Sequence, residues 1–426
     1  MVLTCLDLGK LDEAVEYVER SKNRNLVELI LERDRNTIFP PEVVPQLEYL
    51  RDEIAIEQQQ IQDGKVENYK ESVEHLQQLR QQRNELQDKY LPIGYGFDFK
   101  TFQTTLDEKT ATIEWYITPE KILAFVISKD SQPFVWQSQP EDLKILDEWT
   151  TEYLMLYSSN RIQWRDSLAS YLESLAEILH LEEILRLVPE TCSRLILVPY
   201  RFIHLFPIHT LQSKRQTSNG EDKISGTLIE LFPEGVSYAP SCQLLQQLQT
   251  RQRRQFESLF AIQNPTEDLN FTDMEVESIL PCFSSHQVLQ RKQATKAALT
   301  EAASQLTETN CLHFSCHGSF SPSNPQESAL FLASKETLTL SNLFERNYSF
   351  EQCRLVVLSA CETGLVDFFN TSDEYIGLAS GFLYAGSSSV VSSLWTVNDL
   401  STAFLMIRFI QNFKAAFEKN KGLANK

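Results

Sequence analysis

Two short stretches of the chain carry residue types that could do chemistry, and each contains an apolar run that predicts a buried strand. The first is Leu312-His313-Phe314-Ser315-Cys316-His317-Gly318. The second begins with Leu355-Val356-Val357-Leu358 and continues into Ser359-Ala360-Cys361-Glu362-Thr363-Gly364. A histidine stands at the end of one predicted strand and a cysteine at the end of the other. Ligands and reactive groups of parallel α/β sheets gather at such carboxyl ends.

This pair of strand ends predicts a thiol-protease site built from His317 and Cys361. Such a site needs a nucleophilic sulfur, an imidazole that handles protons, and backbone N–H groups that hold an oxyanion. Gly318 follows the histidine, and Gly364 follows the cysteine at a predicted turn. Glycine suits both positions because a substrate backbone must approach closely.

A metal site is the first alternative, since Cys311, His313, Cys316 and His317 lie within seven residues. Side chains on a strand alternate between its two faces, so these four cannot converge on one tetrahedral ion without a bulge. We therefore expect no metal here, and His313 is expected to be buried and hydrogen-bonded. A serine nucleophile elbow and a phosphate-binding loop are excluded because their glycine patterns are missing.

Composition narrows the class of protein further. The chain has 426 residues and a formal net charge of −19, which argues against sequence-independent binding of nucleic acid. No apolar run of about 18 residues predicts a membrane span, and no signal peptide is evident at the start of the sequence. The eight cysteines are scattered through apolar contexts. We expect a cytoplasmic protein without membrane association, disulfide framework or cofactor.

The first part of the chain is predicted to be helical. Residues 1–36 resemble a fragment of a tetratricopeptide repeat, with Gly9, Ala14 and Tyr17 at the small and aromatic packing positions. The alternative for this segment is a simple helical hairpin. Residues 37–92 are rich in Gln, Glu, Lys, Arg and Leu, and their apolar residues follow a heptad seam. This pattern predicts a coiled-coil arm, either a hairpin of two helices or one kinked rod. The arm is the expected contact for a partner protein.

The remainder is predicted to be α/β. Residues 93–160 contain a β hairpin, Thr110–Ile117 followed by Ile122–Ser128, and a helical lead-in. Residues 161–426 alternate continuous apolar strands with helices, which predicts a mostly parallel sheet covered by helices on both faces.

The motifs around the two strand ends resemble the CHAT domain, which is related to the caspase and separase cysteine peptidases and usually accompanies tetratricopeptide repeats. The resemblance covers roughly residues 93–415. Besides the two stretches above, it is carried by a glycine-rich helical segment and a strand with the loop after it. These are Ile376-Gly377-Leu378-Ala379, Phe382-Leu383-Tyr384-Ala385-Gly386 and Val390-Val391-Ser392-Ser393-Leu394-Trp395-Thr396-Val397-Asn398-Asp399.

The resemblance implies a caspase-like fold and a site with defined roles. His317 and Cys361 would be the catalytic dyad, and the backbones of Gly318 and Cys361 would hold the oxyanion. Trp395 and Asp399 would bind substrate, with Asp399 recognising a basic P1 side chain. The alternative for Asp399 is an N-cap of the helix predicted over Leu400–Phe417, a role that Ser401 could equally fill.

The predicted function is therefore that of a cysteine endopeptidase acting on a protein or peptide substrate. The alternative is a catalytically silent CHAT scaffold or signalling module that acts through its helical arm.

Overall fold

The computed structural model describes residues 1–27, 29–30, 33, 39–62, 68–88, 97–216, 223–249, 251, 253, 255–345, 347–367 and 373–424. The chain forms two compact units. The first comprises Met1–Val198 and His209–Gln246, and the second comprises Pro199–Ile208 and Gln247–Lys426. Among the described helices, none combines the length and hydrophobicity that a bilayer crossing requires. Parts of the predicted arm, including Gly64 and Tyr90, lie outside the described residues.

The first unit is built on a five-stranded mixed sheet. Its strands and those of a separate small hairpin are β1 (Thr110–Ile117), β2 (Ile122–Ser128), β3 (Phe134–Gln137), β4 (Arg194–Val198), β5 (Gln212–Gln216), β6 (Lys223–Thr227) and β7 (Gly235–Tyr238). The strand order is β3-β2-β1-β4-β7, and β5 pairs with β6. The predicted antiparallel pairing of β1 with β2 is confirmed. Because β4 and β7 run parallel to β1 in the same sheet, the sheet lies on both sides of the predicted boundary at residue 160.

Helices of this part of the chain flank the sheet and form the arm. They are α1 (Val2–Asp7), α2 (Leu11–Glu19), α3 (Val44–Gln62), α4 (Tyr69–Asp88), α5 (Phe99–Thr104), α6 (Pro140–Ser159), α7 (Arg161–Ile178), α8 (Leu181–Leu185), α9 (Leu228–Leu231) and α10 (Cys242–Gln249). Of the two predicted alternatives for the arm, the described residues form the helical hairpin. Its seam contains Leu50, Ile54, Leu76 and Leu79.

A fully buried charge cluster joins α2 to the sheet and to α10. The Lys22 Nζ lies 3.3 Å from the Glu114 Oε1, and neither side chain is exposed. The Glu19 carboxylate accepts the N–H groups of Cys242 and Gln243 at 2.9 and 2.8 Å, so it caps the start of α10. Burial and the neighbouring Glu19 raise the pKa of Glu114 well above its usual value, and Lys22 opposes that rise. Lys22 is thus the cation paired with Glu114 in a cluster that contains a second buried carboxyl group, that of Glu19.

Removal of this cation gives the first prediction. Lys22→Met leaves the carboxyl groups of Glu19 and Glu114 buried without it, and a buried pair broken in this way typically costs about 3–5 kcal/mol. We expect a large fall in the urea midpoint followed by tryptophan fluorescence. Lys10→Met is the matched control, because the Lys10–Glu13 pair is exposed and should leave the midpoint almost unchanged. Equal midpoints for the two variants would contradict the prediction.

The second unit is built on a parallel sheet. Its strands are β8 (Ser258–Gln263), β9 (Ser285–Gln290), β10 (Cys311–Ser315), β11 (Gly318–Ser319), β12 (Ala329–Phe331), β13 (Thr337–Thr339), β14 (Leu355–Ser359) and β15 (Val390–Val391). The order is β15-β14-β10-β8-β9, and every neighbouring pair is parallel. β11, β12 and β13 form a small antiparallel sheet that directly follows β10 in the chain.

Helices cover both faces of this sheet. They are α11 (Thr272–Ile279), α12 (Lys296–Glu301), α13 (Ala303–Glu308), α14 (Leu340–Phe344), α15 (Leu378–Tyr384) and α16 (Asp399–Ala424). On one face, Val276 of α11 and Ile410 of α16 pack in one core with Cys311 and Val357. Side chains of α12 to α15 pack on the other face with their strand neighbours. The predicted α/β fold, with a mostly parallel sheet between helical layers, is confirmed.

The described residues also form short 3-10 helices. They are Arg201–Leu205, Ile208–Thr210, Leu280–Cys282, Arg291–Gln293, Pro325–Glu327 and Ala333–Lys335.

Candidate active site

The structure brings His317 and Cys361 to neighbouring strand ends. β10 and β14 are adjacent and parallel, and their register pairs Ser315 with Ser359. His317 and Cys361 each lie two residues beyond this last pair, so both follow the carboxyl edge of the sheet at the same level. The side chain of His317 is 39% exposed and that of Cys361 is half-buried. Neither residue is buried.

Gly318 brings the chain after β10 into direct contact with the chain after β14. A Cβ placed on Gly318 would lie 2.7 Å from the carbonyl oxygen of Cys361 and 2.9 Å from Cγ2 of Thr363. Both distances are shorter than real Cβ contacts, so only glycine fits without displacement. The close approach is possible because Gly318 has no side chain. The backbone beside His317 therefore packs directly against the backbone of Cys361.

The pairing of β11 with β12 orients the Gly318 amide. Gly318 stands opposite Leu330, and the N–H of Phe331 donates to the carbonyl oxygen of His317 at 2.9 Å. In an antiparallel ladder this pattern makes Gly318–Leu330 a non-hydrogen-bonded pair. The N–H of Gly318 therefore points away from β12. An oxyanion donor at Gly318 would need an N–H that β12 does not use.

A tight turn follows Cys361. Glu362 adopts a left-handed conformation with φ of 57°, which is uncommon for a residue with a side chain. The N–H of Glu362 donates to the carbonyl oxygen of Trp395 at 3.3 Å, and the N–H of Gly364 donates to that of Ser393 at 2.8 Å. These bonds hold the turn against the segment after β15. Trp395 thus lies beside the turn, with its side chain half-buried.

The same segment reaches the thiol of Cys361. Its Sγ lies 3.9 Å from the carbonyl oxygen of Val397. Asp399, two residues further on, begins α16, and its Oδ2 accepts the N–H of Phe271 at 3.1 Å. The cap of α16 is Asn398, whose Oδ1 accepts the N–H of Ser401 at 3.1 Å. The N-cap alternative for Asp399 is therefore wrong, and the carboxylate instead faces the loop before α11.

Asp268 is a neighbour of the site that sequence reasoning missed. Its Oδ1 lies 3.0 Å from Nε2 of His317. The hydroxyl of Thr266 donates to the same oxygen, and this bond, with the His317 contact, lowers the pKa of Asp268 despite partial desolvation. Asp268 stands in the loop after β8, at the same carboxyl edge as the two predicted residues. Applying the strand-end rule to β8 as well would have directed attention to this loop.

A buried carboxyl group lies beneath the site. Glu275 of α11 is 1% exposed, and its Oε1 lies 2.6 Å from Nε2 of His313. Its Oε2 accepts the hydroxyl of Ser359 at 3.0 Å. The prediction that His313 is buried and hydrogen-bonded is confirmed. Because His313 is in β10 and Ser359 is in β14, Glu275 connects the two strands that carry the site.

The other cysteines near these strands differ from Cys361 in their surroundings. Cys311 packs in the core on one face of the sheet, while Cys316 packs on the other, as the predicted alternation requires. Burial raises the pKa of both thiols far above the usual value, and it raises that of Cys353 to about 12. These thiols stay protonated at neutral pH, so they are poor nucleophiles and poor ligands.

The sheet order, the helices on both faces and the paired His and Cys strand ends together define a caspase-like α/β protein. The family model of the CHAT domain matches residues 169–426, which is more than half of the chain. The chain therefore belongs to the CHAT domain family, a family related to the caspase-like cysteine peptidases. None of the curated proteins compared with the chain matches it.

The close approach at Gly318 gives a second prediction. Gly318→Ala introduces a methyl group that must displace the backbone of Cys361 or the side chain of Thr363. Overpacking of this kind typically costs about 1–3 kcal/mol. We expect a lower urea midpoint and slower alkylation of Cys361 by iodoacetamide, followed by peptide mass spectrometry.

Gly226→Ala is the matched control, because the three atoms nearest to its new methyl group all belong to the side chain of Glu230, and none belongs to the strand ends that carry His317 and Cys361. Parent-like alkylation of Cys361 and a parent-like midpoint in Gly318→Ala would show that the close contact does not constrain the site.

Proposed function

We propose that this protein is a cysteine endopeptidase in which Cys361 is the nucleophile and His317 is the acid–base. One observation carries the proposal. Adjacent parallel strands end at the same level, and His317 and Cys361 follow those ends with the Gly318 backbone packed against Cys361. The relation of the CHAT family to caspase-like peptidases supports the same chemistry.

The chemistry follows from these residue types. His317 takes the thiol proton of Cys361, the sulfur attacks the scissile carbonyl carbon, and the carbonyl electrons move onto oxygen. The intermediate collapses to a thioester as His317 gives a proton to the leaving amine. Water, deprotonated by His317, then attacks the thioester, and the carboxyl product leaves as the thiol is restored. The half-buried thiol and the partly exposed imidazole allow a peptide to reach both groups.

Backbone amides would stabilise the oxyanion. The N–H of Gly318 points away from β12, and the amide of Cys361 lies at the start of the turn that Glu362 closes. Fixed donors of this kind stabilise a developing negative charge without reorganising, which is usually the largest electrostatic contribution to such catalysis. The close contact between Gly318 and Cys361 supports the proposal, because it places the backbones of the two donor residues side by side.

The third prediction tests the peptidase itself. The parent protein is incubated with a positional-scanning library of fluorogenic peptides. Cys361→Ala and His317→Ala should each reduce cleavage by at least about 100-fold, since nucleophile and proton transfer are both lost. Cys282→Ala is the matched control, because Cys282 is also a half-buried thiol but lies in a 3-10 helix away from the strand ends.

Cleavage by Cys361→Ala at the parent rate would contradict the assignment of the nucleophile. A correctly folded parent that cleaves no peptide in the library would instead favour the silent scaffold acting through its helical arm.

We further propose that the site prefers a basic P1 residue and that the Asp399 carboxylate binds its side chain. The segment that carries Asp399 lies beside the nucleophile, since Val397 contacts the Cys361 sulfur. The Asp399 carboxylate accepts the Phe271 N–H through one oxygen, which fixes its direction. A carboxylate fixed in this way suits an Arg fork or a Lys ammonium. Trp395, on the same segment, would line the substrate path.

The fourth prediction concerns this preference. Asp399→Asn keeps an oxygen for the Phe271 N–H but removes the charge, so kcat/KM for Arg and Lys at P1 should fall about 10- to 100-fold. Cleavage after uncharged residues should change little. Glu362→Gln is the matched control, because this residue also carries a carboxylate next to Cys361. A parent preference for apolar P1 residues would contradict the proposal, and loss of basic preference in Glu362→Gln alone would assign the role to Glu362.

A further inference from the structure

Among the ion pairs of the described residues, Asp268 is the only carboxylate that contacts the imidazole of His317. The contact joins His317 Nε2 to Asp268 Oδ1 at 3.0 Å. Both side chains are partly exposed, at 39% for the histidine and 62% for the aspartate. An exposed pair stabilises a fold very little. The contact is therefore better explained by what it does to the imidazole than by what it adds to stability.

The loop that carries Asp268 is held in place by its own hydrogen bonds. The side chain of Asn264 is buried, and it both donates to the carbonyl oxygen of Leu269 at 2.8 Å and accepts the Leu269 N–H at 3.2 Å. The N–H of Asn264 donates to the carbonyl oxygen of Ser315 at 3.0 Å. Ser315 lies two residues before His317. The loop and the histidine are thus fixed to the same strand end.

The far end of this loop is fixed as well. Its residue Phe271 donates its N–H to Asp399, and the hydroxyl of Thr266 donates to Asp268 itself. The Thr266 bond lowers the pKa of Asp268, so the group is a carboxylate at neutral pH. A carboxylate oxygen can only accept a hydrogen bond. The Nε2 of a neutral His317 must then carry the hydrogen, and Nδ1 must carry the lone pair.

We propose that Asp268 is a positioning residue that fixes the ring orientation and the tautomer of His317, so that Nδ1 is the nitrogen that exchanges a proton with the Cys361 thiol. The site is then a Cys-His-Asp arrangement in which the carboxylate comes from the loop after β8. Asp268 itself does not touch the substrate or the reacting atoms. This inference rests on the proposed peptidase function, since it assigns a task to a group that serves the same reaction.

The first test measures the tautomer and needs no turnover. Long-range proton–nitrogen NMR spectra are recorded for Cys361→Ala at a pH where the ring is neutral, and His317 is assigned by comparison with the spectrum of His317→Gln. We expect the Nε2–H tautomer. In Cys361→Ala combined with Asp268→Ala, we expect a mixture of both tautomers. A dominant Nδ1–H form, or the same spectrum with and without Asp268, would overturn the proposal.

The second test measures catalysis. Asp268→Asn should lower kcat roughly 10- to 100-fold, within the contribution of about 100- to 10,000-fold that a positioned acid–base makes, while KM stays within about twofold. Asp268→Glu should retain more activity than Asp268→Asn, because it restores an accepting carboxylate. Glu267→Gln is the matched control, since it removes a charge from the same loop without contact to His317.

These outcomes separate the inference from the proposed function. A parent protein that shows the expected tautomer but cleaves no peptide would contradict the peptidase assignment and support the positioning role. Turnover that depends on Cys361 and His317 but is unchanged in Asp268→Asn would contradict the positioning role and support the peptidase assignment. A rise in KM with constant kcat would also overturn it, because it would show that Asp268 contacts substrate.

Discussion

A buried carboxyl group shared by two strands is the constraint on which the site depends. Glu275 uses one oxygen for His313 in β10 and the other for Ser359 in β14. In an apolar interior, each polar group left without its partner would cost about 1–3 kcal/mol, so these strands and α11 are held in one arrangement. This arrangement of β10, β14 and α11 also positions the ends of the two strands. The level at which His317 and Cys361 stand is therefore set from inside the sheet.

The segment from Asn264 to Ile279 has several tasks along one continuous stretch of chain. Asp268 contacts His317, the Phe271 N–H is held by Asp399, and Glu275 joins the strands below. The loop contacts the His317 imidazole and the Asp399 carboxylate, while α11, which follows the loop, packs in the core. A substitution at Asp268 or Glu275 therefore acts on the site through a neighbour. Packing and chemistry are thus not separable in this part of the second unit.

The strands and the two strand ends that carry His317 and Cys361 could be predicted because their signals are local. Apolar runs ending in small and polar residues give the strands, and strict alternation correctly separates Cys311 from Cys316. The contacts of Asp268 and Asp399 could not be predicted in this way. They join residues far apart in the chain, and they depend on how the loop after β8 folds back on Ser315. The cap of α16 is Asn398 and neither of the two predicted candidates, Asp399 and Ser401, since all three residues have capping side chains.

The two outer strands of the parallel sheet have a consequence for assembly. β15 consists of Val390 and Val391 alone, so it exposes very little backbone to another chain. β9 is longer, but Ser285, His286 and Gln290 on it are exposed and polar. Short or polar outer strands are how natural sheets resist growth by edge-to-edge pairing. The two outer strands accordingly offer little to edge-to-edge pairing with a second copy, even though the central strands are mostly apolar.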